Sequence, residues 1–324
     1  MNDKFFCTLF DSNYLIKGVA MIRSLMANCE EAYVFVLCMD EKTQVILERL
    51  FSSRVNCIPL SEIETEEILK AKSDRGIAEY CWTLSPCLPW YIFTQYPKVN
   101  FLTYLDADLF FYSSVDPIFQ EIGAKSIAII EHRFSPRLKD RVVNGKFCVE
   151  WVSFRRDEEG MACLSLWRDQ CIDWCYYRLE ENRMGDQKYL DNWPTLYKNC
   201  HIILNVGAGV APWNYAQYKF TFNPPGEIIV DGAPLIFYHF HQFQLLLNGG
   251  FDRVSSFYTS EQAIPEPIYF LYESKITEIF KELIAIDPKF SSGLKKISST
   301  KLRRVMQKFC PRFIREFLHR LTGY

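Results

Sequence analysis

Phe101-Leu102-Thr103-Tyr104-Leu105-Asp106-Ala107-Asp108-Leu109-Phe110-Phe111 decides how the rest of the chain is read. Its first five residues are dense in aromatic and branched side chains and read as a buried central strand. Two carboxylates follow, one residue apart, and an apolar run resumes at once. Side chains at i and i+2 of an extended segment point the same way, so Asp106 and Asp108 aim at a common point where the strand ends. Two carboxylates held that close repel, and burying both without partners is costly. A divalent cation removes the conflict, and hard oxygen ligands suit Mg2+ or Mn2+. A bare Asp-x-Asp more often marks two solvated loop aspartates. Hydrophobic sequence on both sides leaves little room for such a loop, so the pair reads as a cation site.

Upstream of it, strand and helix alternate. Phe5 to Phe10 reads as the first strand, breaking at Asp11-Ser12-Asn13, and Leu15, Val19, Ile22, Leu25 and Met26 then share one helical face. Tyr33 to Met39 is a continuous apolar run, as expected of a strand covered on both sides. Glu41 to Phe51 reads helical, Val55 to Leu60 as a strand, and Ser61 to Lys70 as a helix opened by a Ser61/Glu64 capping box. Glu79 to Tyr96 is aromatic-rich and partly helical, interrupted by Pro86 and Pro89. The alternation is that of a doubly wound sheet, which binds ligands beyond the carboxyl ends of its strands. Asp11 and Asp106 stand at two such ends.

Downstream, Ser126 to Ile130 and Val149 to Phe154 read as strands, and Met161 to Leu179 as a helix carrying Leu164, Trp167, Cys171, Trp174 and Cys175. Gly185-Asp186-Gln187 opens the next element. A Gly- and Pro-rich loop, Gly207 to Trp213, precedes a strand from Pro234 to Phe240. Residues 275–324 read as a helical extension of a domain spanning residues 1–274.

With 324 residues, 49% of them hydrophobic and 16% aromatic, the chain has enough apolar surface for a substantial core. No apolar run is long enough to span a membrane, and the N-terminal residues lack a signal-peptide pattern. Twelve cysteines are scattered without a Cys-x-x-Cys pair, which fits a reduced, cytoplasmic protein rather than a disulfide framework. Cys171 and Cys175 read as small core residues. The net charge of −2 hides an asymmetry: residues 294–324 carry nine Lys or Arg against Glu316 alone. Within that tail Leu302, Val305, Met306, Phe309, Phe313, Phe317 and Leu321 recur at helical spacing between the cations. Such a helix suits an anionic membrane surface, and it equally suits docking on the acidic body. Nucleic acid would leave the apolar stripe without a use.

No Gly-x-Gly-x-x-Gly follows the first strand, and no Walker-type loop or Gly-x-Ser-x-Gly elbow is present, so dinucleotide, ATP-loop and serine-hydrolase readings lose their support. An aspartyl phosphatase places its Asp-x-Asp on the first strand, not past residue 100. A metal-bound diphosphate fits what remains. Gly207 and Gly209 either let backbone approach phosphates or form an ordinary turn. His239 and His241 alternate along one strand, and either is placed to complete a metal shell.

With those residues in hand, the chain resembles the GT-A-fold glycosyltransferases of the family-eight-like group, which includes glycogenin and bacterial lipo-oligosaccharide galactosyltransferases. It is more similar still to glycosyltransferases of bacterial surface-polysaccharide loci. Leu102 to Asp108, Gly185-Asp186-Gln187-Lys188-Tyr189-Leu190-Asp191, Gly207 to Trp213 and Phe237-Tyr238-His239-Phe240-His241 carry the resemblance, together with Thr8 to Tyr14. It implies a mixed, mostly parallel sheet flanked by helices. By resemblance, Asp106 and Asp108 hold Mn2+ or Mg2+ and a nucleotide-diphosphate sugar. Thr8, Asp11 and Tyr14 line the base and ribose pocket, Asp186 and Gln187 face the donor sugar, and His239 or His241 completes the metal shell. The implied activity is hexosyltransferase-like transfer, with retention, from a UDP-sugar to a saccharide or lipid-linked saccharide acceptor. Two departures stand out. The family's His-x-x-Gly-x-x-Lys-Pro-Trp appears only as Gly-Val-Ala-Pro-Trp, and Cys148-Val149-Glu150-Trp151 replaces an Asn-x-Gly turn near the acceptor. A catalytically silent nucleotide-sugar scaffold is the other reading of the same residues.

Overall fold

In the computed structural model, which describes residues 3–224, 226–258 and 262–296, alternate residues of the first strands go to opposite faces of one sheet. Phe6 and Phe10 of β1 (Lys4–Phe10) enter one apolar core, and Cys7 and Leu9 enter the other. After α1 (Leu15–Asn28), β2 (Ala32–Cys38) divides Val34 and Val36 from Phe35 and Leu37 in the same way. The unbroken apolar runs therefore reflect cover on both faces. Next come α2 (Glu41–Leu50), β3 (Val55–Pro59), α3 (Glu66–Lys72), α4 (Ile77–Gln95), β4 (Phe101–Leu105), β5 (Leu109–Phe111) and α5 (Asp116–Ile122). They are followed by β6 (Ile127–Glu131), β7 (Phe147–Arg155), α6 (Glu158–Asp173), the single turn α7 (Trp193–Leu196) and β8 (Cys200–Ile203).

Seven strands form the main sheet in the order β3-β2-β1-β4-β7-β6-β8. All pairings are parallel except those of β7, which runs against both β4 and β6. Strand β4 is central, as the sequence indicates. Beyond it lie a three-stranded sheet of β9 (Phe220–Asn223), β10 (Glu227–Val230) and β11 (Ala233–Pro234), and two ribbons. One ribbon pairs β12 (Phe237–His239) with β5, and the other pairs β13 (Gln244–Leu245) with β14 (Phe251–Asp252). The expected strand from Pro234 to Phe240 is thus split between β11 and β12.

Three helices differ from the sequence expectation. Ser61 sits in a 3₁₀ turn, and α3 starts after Thr65, whose hydroxyl accepts from the Ile68 N–H. Helix α4 runs unbroken through Pro86 and Pro89. Each proline forfeits a backbone hydrogen bond, but ten residues of the helix are buried between the sheet and α6, and that packing overrides local preference. Helix α6 begins three residues earlier than expected, after an Asp157 cap that accepts from Gly160 N–H at 2.8 Å, and ends at Asp173. Cys175 therefore lies beyond the helix, yet both it and Cys171 are buried as core residues.

Helix α8 (Glu266–Ile286) passes through the expected boundary at 274/275. Ile268, Tyr269, Tyr272, Ile276, Ile279 and Leu283 pack into the same core as α1, and Arg23 grips Glu282 with two hydrogen bonds of 2.6 and 2.9 Å. The amphipathic pattern of residues 301–321 lies outside the described residues. No described helix is long and apolar enough to cross a membrane.

Candidate active site

Strand β4 ends at Leu105, and Asp106 to Asp108 form a turn before β5. The two carboxylates therefore do not converge through strand alternation. They converge because β12 pairs with β5, setting His239 opposite Leu109 and fixing the turn through a 2.8 Å bond from Phe240 N–H to the Asp108 carbonyl. His239 Nε2 stands 2.9 Å from Asp108 Oδ1 and 3.9 Å from Asp106 Oδ2. Its other ring nitrogen lies 2.7 Å from Oε2 of Glu150, a residue with no exposed surface, in the middle of β7. A carboxylate on one side of an imidazole fixes which nitrogen is offered to the other, an arrangement typical of histidines that ligate metals.

Electrostatics follow from this packing. Against the cost of burial, His239 and then Lys17 hold the Asp108 carboxyl well below the usual range. Burial would lower His239, yet Asp108, Cys148 and Glu150 hold its pKa well above the ordinary imidazole value. Asp106 keeps 30% of its side chain open, but its cleft is deep enough that desolvation, with Asp108, Asp186 and Glu150 adding to it, pushes its carboxyl up to about 7. His241 stacks edge-on to His239 at 5.6 Å and is pushed down to about 4 by burial and by that neighbour. Trp213 edges onto both rings.

A divalent cation fits this donor set. Ligand atoms of Asp108, His239 and His241 lie within 4.8 Å of one another, and so do those of Asp106, Cys148 and His239. The second carboxylate oxygen of Glu150 is buried without a hydrogen-bond partner among the described residues. Anionic oxygens crowded around imidazole nitrogen suit Mg2+, Mn2+ or a similar ion.

The glycines of the 207–213 loop are both buried and serve packing. A Cβ on Gly207 would stand 2.0 Å from the Pro234 carbonyl oxygen. Gly209, at φ +68°, is the closer to the site: a Cβ there would meet Glu150 Oε1 at 2.8 Å. Close backbone approach is their visible role.

At the end of β1, Asp11 holds its own loop, accepting from Asn13 N–H at 3.0 Å and Tyr14 N–H at 3.2 Å. The Tyr14 ring is 40% exposed, and Asp108 pushes its hydroxyl pKa up. Thr8 is buried with its hydroxyl unpartnered among the described residues. Asp186 precedes a 3₁₀ helix (Gln187–Asn192) without capping it through its side chain. Trp167 Nε1 donates to its carbonyl at 2.9 Å, while its carboxyl Oδ2 is buried with no partner among the described residues. Burial pushes that carboxyl up to about 7. Gln187 donates to the Asn144 carbonyl at 2.9 Å and packs against Gly145.

Sequence reasoning assigned no chemistry to Glu150 and passed over Lys17. Glu150 is the one charged side chain among the fully apolar or small neighbours of a buried strand, and a carboxylate there must have a partner. Lys17 stands among Leu15, Ile16, Gly18 and Val19, apolar on every side, which is the same kind of signal.

A sheet of this order, with two carboxylates leaving its central strand, is the GT-A glycosyltransferase fold. Solved structures bear this out: an active-site mutant of LgtC has a TM-score of 0.52 at 12% identity, covering 86% of this chain and 95% of that one. The glycosyltransferase GlyE of Streptococcus pneumoniae TIGR4 has a TM-score of 0.51 at 14% identity, with 91% and 66% covered. Residues 6–156 match the model of glycosyl transferase family 8. Two Bacillus subtilis (strain 168) proteins described as uncharacterised are similar over most of their length. YfnD is 32% identical over 293 residues, which is 89% of this chain and 93% of YfnD. YfnF is 30% identical over 298 residues, 90% and 97% respectively. The chain belongs to glycosyl transferase family 8 and is a glycosyltransferase.

Proposed function

We propose that the protein transfers a hexose-type sugar, with retention, from a nucleoside-diphosphate donor to a saccharide or lipid-linked saccharide used in surface-polysaccharide synthesis. UDP is the donor nucleotide favoured by the family resemblance. The observation that carries the donor reading is the convergence of Asp106 and Asp108 on His239 Nε2, with Glu150 fixing the far nitrogen. A bound Mn2+ or Mg2+ would supply charge neutralisation for the donor diphosphate.

The residues divide the work. Asp106, Asp108 and His239 hold the cation, and His241, neutral near pH 7 because its pKa is pushed down to about 4, offers a further nitrogen. The loop from Asp11 to Tyr14 presents the aromatic ring of Tyr14 toward the nucleotide side. Asp186 faces the donor sugar, where an ionised carboxylate would favour positive charge developing at the anomeric carbon. In the transfer, the anomeric C–O bond to the diphosphate breaks with its electron pair staying on the phosphate oxygen. The acceptor hydroxyl oxygen forms the new bond and passes its proton to the departing phosphate oxygen.

The test is nucleotide release from a panel of UDP-, GDP-, ADP- and CDP-sugars with Mn2+, with and without saccharide acceptors. Release that needs one donor, rises with an acceptor and stops with a chelator supports the reading. No release from any donor, in a protein that also fails to bind the nucleotides, overturns it.

Location at the inner membrane face is part of the same proposal and is supported by the basic amphipathic pattern of the tail. Flotation with anionic liposomes at low and high salt checks it. The intact chain should float at low salt only, and a chain ending at Ser292 should not float.

A further inference from the structure

The Lys17 ammonium is the least explained charge in the molecule. Lys17 lies one turn into α1 with only 8% of its surface exposed. Buried lysines normally have hydrogen-bonded partners, since an ammonium carries three donors and loses its hydration on burial. This one has no hydrogen-bond partner among the described residues. Its nearest carboxylate oxygen, Asp108 Oδ2, is 3.9 Å away, too far for a hydrogen bond, and the other oxygen of that carboxylate already faces His239. The ammonium lies 4.4 Å from the centroid of the ring of Tyr14, a residue that is 40% exposed.

A second cation comes from the far end of the described chain. The segment after α8 crosses the loop at Asn13: Gly293 N–H donates to Asn13 Oδ1 at 3.2 Å, and a Cβ on Gly293 would stand 2.1 Å from the Asn13 carbonyl oxygen. Lys295 then joins β13 through backbone bonds of 3.0 Å to Leu245 and 2.9 Å from Leu247. Its own side chain is exposed. The crossing segment thus carries an exposed cation past the loop that ends at Tyr14, whose ring the Lys17 ammonium faces.

We propose that Lys17 is a donor-binding residue that takes the diphosphate of the nucleotide sugar, with Lys295 supplying a second cation from the crossing segment. This rests on the nucleotide-sugar reading above. Departure of the nucleoside diphosphate adds negative charge to its phosphate oxygens, so a fixed ammonium at that position favours departure as well as binding. The burial of Lys17 beside Asp108 becomes intelligible: the ammonium keeps its hydrogen-bond donors unused among the described residues, ready for an anion that arrives with the substrate.

The experiment is calorimetric titration with Mn2+ present. The tightest-binding member of UDP, GDP, ADP and CDP is compared with its own monophosphate, on wild type, Lys17→Met, Lys17→Arg and Lys295→Met. A lost charge-assisted contact should weaken diphosphate binding by roughly tenfold or more in Lys17→Met, and much less for the monophosphate. Lys17→Arg should restore part of the difference, and Lys295→Met should lose a smaller, salt-sensitive share. If a folded Lys17→Met keeps the wild-type ratio of diphosphate to monophosphate affinity, the lysine is only a counter-charge to Asp108 and the proposal fails. Should Lys17→Met not fold, the ratio in Lys17→Arg and in the exposed-site variant Lys295→Met decides: unchanged in both overturns the proposal, shifted supports it. Failure of every diphosphate to bind wild type overturns the donor reading itself, and the lysine assignment with it.

Discussion

Two buried carboxylates, one in the turn after β4 and one just ahead of the 3₁₀ helix at Gln187–Asn192, have been handled in opposite ways. Asp108 is packed against an imidazole and an ammonium and stays ionised at a cost the neighbours offset. Asp186 has no partner for its Oδ2 and holds its proton up to about pH 7. Both are about 5% exposed, so burial alone does not set a carboxyl's charge. What sets it is whether the fold brings an opposite charge into contact. The first is part of a permanent charge array, and the second is a group whose charge is decided near neutrality.

The largest test of that contrast is Asp108→Asn. It removes a shared ligand and leaves His239 and Lys17 buried with less compensation. We expect donor and metal binding to collapse, the rate to fall on the order of a thousandfold, and stability to fall by roughly 3 kcal/mol. Calorimetry with Mn2+ and thermal melts read both; unchanged metal affinity would remove Asp108 from the cation site.

Asp186→Asn should move stability the other way. The folded-state pKa of about 7 lies above that of an unfolded carboxylate. Between those values the folded chain binds the proton more tightly than the unfolded chain does, so wild-type stability falls as pH rises through that window. The variant lacks this loss: its melting temperature should match wild type near pH 4 and exceed it at pH 8. Its rate should fall roughly a hundredfold, and the wild-type rise in rate through neutral pH should flatten. A variant less stable than wild type at pH 8 would show that the carboxylate has a partner after all.

Glu150 probes the charged array from behind. Glu150→Gln keeps an acceptor for the imidazole N–H, whereas Glu150→Ala removes it. Metal affinity should fall roughly tenfold to a hundredfold in the alanine variant and less in the glutamine variant, as read by titration with Mn2+ alone. Equal affinities in all three proteins would mean that Glu150 does not orient His239. The smallest effect is expected at His241, which belongs to one of the two candidate ligand groups where His239 belongs to both. His241→Gln should change metal affinity only a few-fold, against a far larger loss in His239→Gln; the reverse order would exchange their roles.

Much of the sheet was legible in the sequence because β1 to β3 and the helices between them follow one another in space as they do in the chain. The position of Asp106 and Asp108 beside apolar strands was legible for the same reason. What could not be read was pairing at a distance. Glu150 meets His239 across 89 positions, and only the reversed direction of β7 and the β5–β12 ribbon bring them together. The Ser61 cap lost to Thr65, four residues on, because both satisfy the same local rule. The prolines of α4 were misleading because burial between two layers outweighs the bonds they remove. The roles of Thr8 and Asp11 toward a nucleotide stay with the proposal, since the visible work of Asp11 is to shape its own loop.

The contact of Gly293 with Asn13 joins residues 280 positions apart. A chain emerging from the ribosome forms its first strand and helix long before the residue that fastens their connecting loop has been made. The sheet can assemble during synthesis, but this contact with the loop after β1 forms only after nearly the whole described chain is out. A premature stop before Gly293 would therefore leave a chain that has its core but lacks this one fastening of the loop at Asn13.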